Sequence, residues 1–199
     1  YNLMSYTGYD YWYGSWVQVD TNTFANAYFD YGNGAYISTF DVSADGATVT
    51  RKKDHWQHSS GTNAGKYNSF IKLSSTIYVL AYQDNSTRGV IKTFTISDDG
   101  VTITTKDTEY LLGTATNGDA KMQYNSLVKV DDNTVAVAYE GASSHGYIAT
   151  TNVNASTGEI TGAGANKYTA LLKHDGVQGL HNSLVKMGSG KYVLAYSGA

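Results

Sequence analysis

The amino-acid sequence predicts an all-β fold, and three observations support this: an internal repeat, a turn-rich composition and no amphipathic helical pattern. The segment 125–146, NSLVKVDDNTVAVAYEGASSHG, returns in weaker form from Asn68, from Asn182 and from Gly14. A Ser opens each copy, with spacings of 54, 57 and 57 residues, at Ser15, Ser69, Ser126 and Ser183. A fixed period of this size is the sequence signature of a repeat architecture.

The composition narrows the class of protein and of partner. The 199 residues include 21 Gly and 18 Tyr but no Pro and no Cys, a composition typical of a β protein rich in turns and aromatic packing. Charged residues make up 16% of the chain and the net charge is −3, which argues against a nucleic-acid partner. No apolar run reaches the roughly 20 residues that span a bilayer, so we expect no membrane insertion.

Each repeat contains four strand signals. The first is short and apolar with one polar position, as in 127–130 (LVKV), and a turn of Asp, Asn or Ser follows it. The second ends in the recurring Ala-Tyr pair, as in 134–139 (TVAVAY). The third alternates polar and apolar residues, as in 35–42, and a turn such as SADG leads to the fourth, as in 47–51.

Four antiparallel strands linked in sequence describe one blade of a β-propeller, and this architecture fits the repeat length better than an open solenoid. We expect the tail of a preceding blade at 1–14, three blades at 15–68, 69–125 and 126–182, and a partial blade at 183–199. About three and a half repeats indicate either part of a longer chain, which we favour, or two copies that complete one ring of about seven blades.

The repeat also has a resemblance. The pattern NSLVKVDDNTVAVAY, followed by GYIATTNVN, TGEIT and HDGVQGLHNSL, resembles tandem propeller-type repeats of large secreted or surface proteins of bacteria and phages. The turns SADGAT and SDDGVT are similar to the Asp-box turns of sialidase-type blades, although the closing Trp is missing. The resemblance implies an extracellular or surface location and roles in adhesion, binding or structure.

Two sets of polar residues recur at the first strand. Asn68, Asn125 and Asn182 open it in three repeats, and they either present amides to a ligand or cap the backbone of the preceding loop. Lys72, Lys129 and Lys186 recur within it, where they either attract an anion or stay solvated in a wet channel.

Aromatic residues between the repeats are the strongest ligand candidates. Asp10, Tyr11 and Trp12 lie in one inter-repeat segment, and Trp56 lies in what reads as the corresponding loop after the first blade. Flat rings beside polar side chains suit the faces of sugars, whereas the alternative is that these rings pack between blades.

The other titratable residues point to neither a metal nor a catalytic site. His55, His58, His174 and His181 are placed by the sequence in loops, but the corresponding loop before Asn125 has no His, so we expect no metal and no cofactor. The acidic turns lack calcium-loop spacing and are read as turn residues, with a weak structural calcium site as the alternative.

Only two Arg are available to clamp an acidic sugar, and no nucleophile elbow is present. These absences predict a non-catalytic module, and the resemblance implies that it is an extracellular, structural or adhesive part of a larger surface or fibre protein. The expected partners are further copies or neighbouring domains, and glycans as a second class. A carbohydrate-binding lectin with sites in the inter-blade loops is the first alternative, and a glycan-active hydrolase is the second.

Overall fold

The protein is an all-β structure in a computed structural model that describes residues 11–110, 121–162 and 167–199. Fifteen strands in these ranges form four antiparallel sheets in chain order, which confirms the predicted propeller-type arrangement of about three and a half repeats. One 3₁₀ turn, Ala142–Ser144, interrupts them, and no described helix is long and apolar enough to cross a membrane.

Sheets 1 and 2 each contain four strands that pair in sequence order. Sheet 1 contains β1 (Tyr11–Gln18), β2 (Thr23–Asp30), β3 (Gly34–Val42) and β4 (Val49–Ser59). Sheet 2 contains β5 (Lys66–Lys72), β6 (Ile77–Gln83), β7 (Gly89–Ile96) and β8 (Ile103–Tyr110).

Sheets 3 and 4 differ from the first two in their outer strands. Sheet 3 contains β9 (Gln123–Lys129), β10 (Thr134–Glu140), β11 (Gly146–Val153), β12 (Ile160–Thr161) and β13 (Ala170–Asp175), with β12 and β13 both paired to β11. Sheet 4, within the described residues, contains β14 (Leu180–Gly188) and β15 (Lys191–Ser197).

The outer strands run further than the sequence indicates. The fourth strand was expected at 47–51, but β4 continues to Ser59 through the polar stretch RKKDHWQHS. Pairing with β3 supports this extension, with register shifts that mark bulges along the edge. His55, Trp56 and His58 therefore lie on a strand and not on a loop, and His174 and His181 likewise lie on β13 and β14.

The hydrophobic core lies between neighbouring sheets. Phe70 of β5 belongs to one buried cluster with Val19, Ala27 and Ile37 of the first repeat, and this cluster also contains Phe94. The junctions of sheet 2 with sheet 3 and of sheet 3 with sheet 4 repeat this arrangement, through Leu127 and Leu184 respectively. Each sheet thus buries its apolar face against the next sheet, as propeller blades do.

A polar ladder joins the innermost strands β1, β5, β9 and β14, and it uses the recurring Ser. The hydroxyl of Ser15 accepts the backbone N–H of Phe70 at 2.9 Å. Ser69 accepts the N–H of Leu127 in the same way at 2.9 Å, and Ser126 accepts that of Leu184 at 2.8 Å. One such bond per junction fixes the register of neighbouring sheets.

The recurring Lys residues belong to the same junctions. Lys129 Nζ donates to the carbonyl of Leu73 at 2.8 Å, and Lys72 and Lys186 donate to the carbonyls of Val19 and Val130. Each ammonium group thus bonds to the end of the preceding innermost strand. The prediction of solvated or anion-binding Lys residues missed this structural role.

Candidate functional site

A strained residue opens every innermost strand. Tyr13, Tyr67, Tyr124 and His181 have φ angles of 56°, 56°, 50° and 52°, in the left-handed region that bulky residues rarely adopt. Each lies inside a register shift just before the Ser of its repeat. Left-handed residues other than Gly cost roughly 1–3 kcal/mol each and cluster at ligand sites. The rim formed by these four residues is therefore a candidate ligand site.

The four strained side chains form a row of rings, which we call the aromatic row. The ring centroids of Tyr13 and Tyr67 are 4.3 Å apart, those of Tyr67 and Tyr124 are 4.9 Å apart, and those of Tyr124 and His181 are 4.3 Å apart. The interplanar angles lie at 44°, 58° and 51°, so the rings tilt against each other without stacking flat. Residues 54–57 positions apart in the chain thus form one continuous surface.

The predicted Asn residues stand directly after three members of this row, and they cap backbone. Asn68 Nδ2 donates to the carbonyl of Gly65 at 2.7 Å and to that of Tyr13 at 3.3 Å. Asn125 Nδ2 donates to the carbonyl of Tyr67 at 2.8 Å, and Asn182 Nδ2 donates to that of Gly179 at 2.9 Å. These amides support the strained backbone, which favours the capping alternative.

An ion pair with a buried carboxylate lies at the same rim. Glu140 ends β10 opposite Gln123, where β9 begins, and its carboxylate accepts a bond from Lys121 Nζ at 2.6 Å. Glu140 is buried, whereas Lys121 is partly exposed. The matching register positions hold Phe29, Gln83 and Ser197, so the repeat does not require a carboxylate here.

The charge of Glu140 acts on a member of the aromatic row, Tyr67. Burial raises the pKa of the Tyr67 hydroxyl, and a hydrogen bond with Tyr13 and the negative charge of Glu140 raise it further. Tyr67 is therefore a neutral phenol at all ordinary pH values, able to donate one hydrogen bond and accept another.

The ligand candidates predicted from the sequence, Asp10, Tyr11, Trp12 and Trp56, do not lie together in the structure. Asp10 lies outside the described residues, and Tyr11 and Trp12 are described only as backbone of β1, paired with Asp30 and Phe29. Trp56 lies on β4, half-buried, with its ring edge-on to Phe94 of sheet 2 at 5.5 Å. The structure thus brings Asn68, Asn125 and Asn182 to one rim and places Trp56 in a sheet junction.

Sequence reasoning missed the aromatic row although its signal was present. The residue two positions before each repeating Ser is Tyr13, Tyr67, Tyr124 or His181, an aromatic ring in every copy. Glu140 could have been found as the one carboxylate at a position where the other repeats carry Phe29, Gln83 and Ser197. The His residues do not gather, and within 11–110, 121–162 and 167–199 no three His, Asp or Glu side chains are placed to hold a metal ion.

Solved structures share the fold at low sequence identity. The NanB sialidase from Streptococcus pneumoniae matches 86% of this chain at 11% identity with a TM-score of 0.56, and the match covers 25% of that enzyme. A putative 6-phosphogluconolactonase from Bacteroides fragilis matches 92% of the chain at 14% identity, with a TM-score of 0.59 over 49% of its length. The chain thus spans between a quarter and a half of these proteins.

Family-43 glycoside hydrolases have the same type of fold. A thermostable member matches 99% of the chain at 13% identity with a TM-score of 0.54, and 66% of that enzyme is covered. No protein-family model and no curated protein sequence matches the chain. The structural matches establish a β-propeller-type fold similar to that of sialidases and glycoside hydrolases.

These comparisons contradict the expected non-catalytic structural or adhesive module. The sialidase and the glycoside hydrolases that match this fold are enzymes, so the fold gives no support to a purely structural role.

Proposed function

We propose that this chain binds carbohydrate at the rim formed by the aromatic row and the Glu140–Lys121 pair. The observation that carries the proposal is the row itself, with one ring from each innermost strand and centroid spacings of 4.3–4.9 Å. Aromatic rings pack against the C–H faces of pyranose sugars, and adjacent polar groups bond to the hydroxyl groups.

The polar groups at the rim suit sugar hydroxyls in number and kind. Glu140 supplies carboxylate oxygens that accept, Lys121 supplies an ammonium group that donates, and the Tyr hydroxyls do both. The αL backbone at Tyr67 and Tyr124 holds the rings in place before a ligand arrives, and a preorganised site loses less entropy on binding. The fold shared with a sialidase and with glycoside hydrolases is consistent with this ligand class.

Glycan-array screening followed by titration calorimetry of each hit tests the proposal. Tyr124→Ala removes the ring that contacts both Tyr67 and His181, so we expect about a tenfold loss of affinity, equivalent to about 1.4 kcal/mol. Val101→Ala is the control, because Val101 is an exposed apolar residue in the turn between β7 and β8, at the opposite end of the strands from the row. Equal losses in both variants, or no hit on the array, would contradict carbohydrate binding at the row.

Glycan hydrolysis is a second candidate, and Glu140 is the observation that favours it. A buried carboxylate is costly to desolvate, and its partly exposed partner Lys121 offsets only part of that cost, so stability alone does not account for it. Glycosidases use two carboxylates, and Asp30 and Asp84 also lie where second strands end at this rim. Glu140 is the proposed proton donor or base, and one of these Asp residues is its partner.

Turnover of aryl glycosides tests the second candidate. Glu140→Gln keeps the shape of the side chain and removes its charge, so we expect turnover to fall by 10² or more, well beyond any loss of glycan affinity. Glu159→Gln is the control, because it makes the same change at an exposed residue between β11 and β12, at the opposite end of the strands. Undiminished turnover in Glu140→Gln would exclude this residue. A location outside the cell or at its surface is part of the same proposal, since glycans are abundant there.

A further inference from the structure

The junction between sheets 1 and 2 differs from the two later junctions at the rim. Phe29 of β2, Tyr31 of the turn after β2 and Lys66 of β5 meet there, and together we call them the side site. The matching positions of the later junctions carry other residue types: Gln83, Asn85 and Gln123, then Glu140, Ala142 and Leu180. The repeat therefore does not require two aromatic rings and a cation at this place.

The side site is continuous with the aromatic row. Phe29 is buried, and its ring centroid lies 6.5 Å from that of Tyr13. Tyr31 is 68% exposed and stands edge-on to Phe29, with centroids 6.4 Å apart. A pyranose ring is about as wide as a phenol ring, so the surface from Tyr124 to Tyr31 has room for several linked sugar units.

Lys66 brings a positive charge to this surface. Its Nζ lies 5.1 Å from the ring centroid of Phe29 and donates to Oδ1 of Asn63 at 2.8 Å. Among the residues that the structure describes, no carboxylate lies within 4.0 Å of this Nζ. An ammonium group has three N–H donors, so two remain for a ligand after the bond to Asn63. Lys66 is partly exposed, and its charge can bind an anion from solution.

The negative charges of the chain do not oppose an anion at Lys66. At the same end of the strands, Asp84 and Glu140 form ion pairs with Arg88 and Lys121, and Asp30 is buried. Exposed carboxylates stand in the turns at the opposite end of the strands: Asp20, Asp45, Asp99 and Asp131. The net charge of −3 is therefore not concentrated at the rim.

We propose, building on the proposed carbohydrate binding at the rim, that the ligand is an acidic oligosaccharide of three or more sugar units with a carboxylate at the side site. The other units of the chain pack along the aromatic row. The carboxylate accepts charge-assisted hydrogen bonds from Lys66 Nζ, and the sugar ring that carries it packs against Tyr31. One charged position thus selects acidic chains, and the row selects long ones.

Matched series of oligosaccharides test charge and length on the 199-residue chain. The glycan array carries linear chains of one to four units of galacturonate, glucuronate and mannuronate, each beside the neutral chain of galactose, glucose or mannose. We expect acidic chains of three or four units to bind about fivefold more tightly than the neutral chains and than the single acidic sugars. Neutral chains that bind as tightly, or single sugars that bind as tightly as chains, would overturn this inference and leave carbohydrate binding intact. The absence of any glycan hit would contradict the proposed function, and this inference with it.

Lys66→Gln separates the charge of the side site from its shape. Calorimetry should show about a fivefold loss of affinity for the tightest-binding acidic trimer and no loss for its methyl ester, which has the same shape without the charge. Lys191→Gln is the matched control, because Lys191 is exposed at the start of β15, at the opposite end of the strands. Tyr31→Ala should weaken binding of trimers but not of single sugars. Equal losses for acid and ester in Lys66→Gln, or a similar loss in Lys191→Gln, would overturn the proposal, and circular dichroism checks that each variant keeps its strand content.

Discussion

His58 provides a test of how closely the first two sheets are packed. It lies on β4 and is fully buried, with its ring edge-on to Tyr82 of sheet 2 at 5.0 Å. Burial lowers its pKa to about 3, and the positive charge of Lys92, whose Nζ donates to the His58 carbonyl at 2.5 Å, contributes to the shift.

The sign of the effect on stability follows from where the proton binds. His58 stays neutral in the folded protein down to about pH 3, whereas in the unfolded chain it titrates near 6.5. Below pH 6.5 the unfolded state therefore takes up a proton that the folded state does not, so stability falls as the pH falls. Between pH 7 and pH 5, one such group removes about 2 kcal/mol from the free energy of unfolding.

Urea unfolding at pH 7, 6 and 5 measures this loss. His58→Leu keeps an apolar side chain in the junction and removes the titration, so its free energy of unfolding should change about 2 kcal/mol less over this range. The comparison is a slope, so it is independent of any constant destabilisation by Leu. Staying at or above pH 5 keeps most carboxylates ionised in both states. An identical pH dependence in the two proteins would show that His58 is accessible to protons in the folded state.

Two further substitutions test the backbone and the polar ladder by chemical denaturation. Gly65→Ala places a Cβ 1.9 Å from Cβ of Ala35 at a φ of +82°, and we expect a loss above about 3 kcal/mol. Gly46→Ala, at a φ of +71° with nothing within 4 Å, should lose only about 1–2 kcal/mol, and equal losses would disprove the clash. Ser69→Ala should lower the free energy of unfolding by about 1–3 kcal/mol, because the backbone N–H of Leu127 loses its acceptor. Ser189→Ala, at an exposed Ser, should change it very little. Similar losses in both variants would show that the Ser ladder does not stabilise the sheet junctions.

The inner three strands of each repeat could be predicted from the sequence because their patterns are local. Alternating residues predict β3, β7 and β11, and the Ala-Tyr pair at the end of β2, β6 and β10 indicates a packed position. The turn after β3 is equally local, since Asp45 Oδ1 accepts bonds from Ser43 and from the N–H of Ala47. Turns in which a side chain bonds to residues close in sequence can be predicted from the residue types alone.

The outer strands could not be predicted in the same way. β4 is extended because β3 offers it an edge, and its own residues from Arg51 to Asp54 are mostly polar and exposed. The short β12 and the separate β13 share one partner strand, an arrangement that no pattern along 160–175 indicates. Edge strands carry weak patterns because solvent covers one side of them.

The candidate site shows the same division. The chain alone shows a 57-residue period, the strands within it and the recurring Asn, Ser and Lys, because these follow from short-range residue preferences. Whether Asn125 faces a ligand or caps Tyr67, and whether Tyr124 lies beside His181, depends on residues 57 or more positions apart meeting across a sheet junction. Contacts of that kind arise only when whole sheets pack, since neither partner has a local reason to adopt its strained conformation.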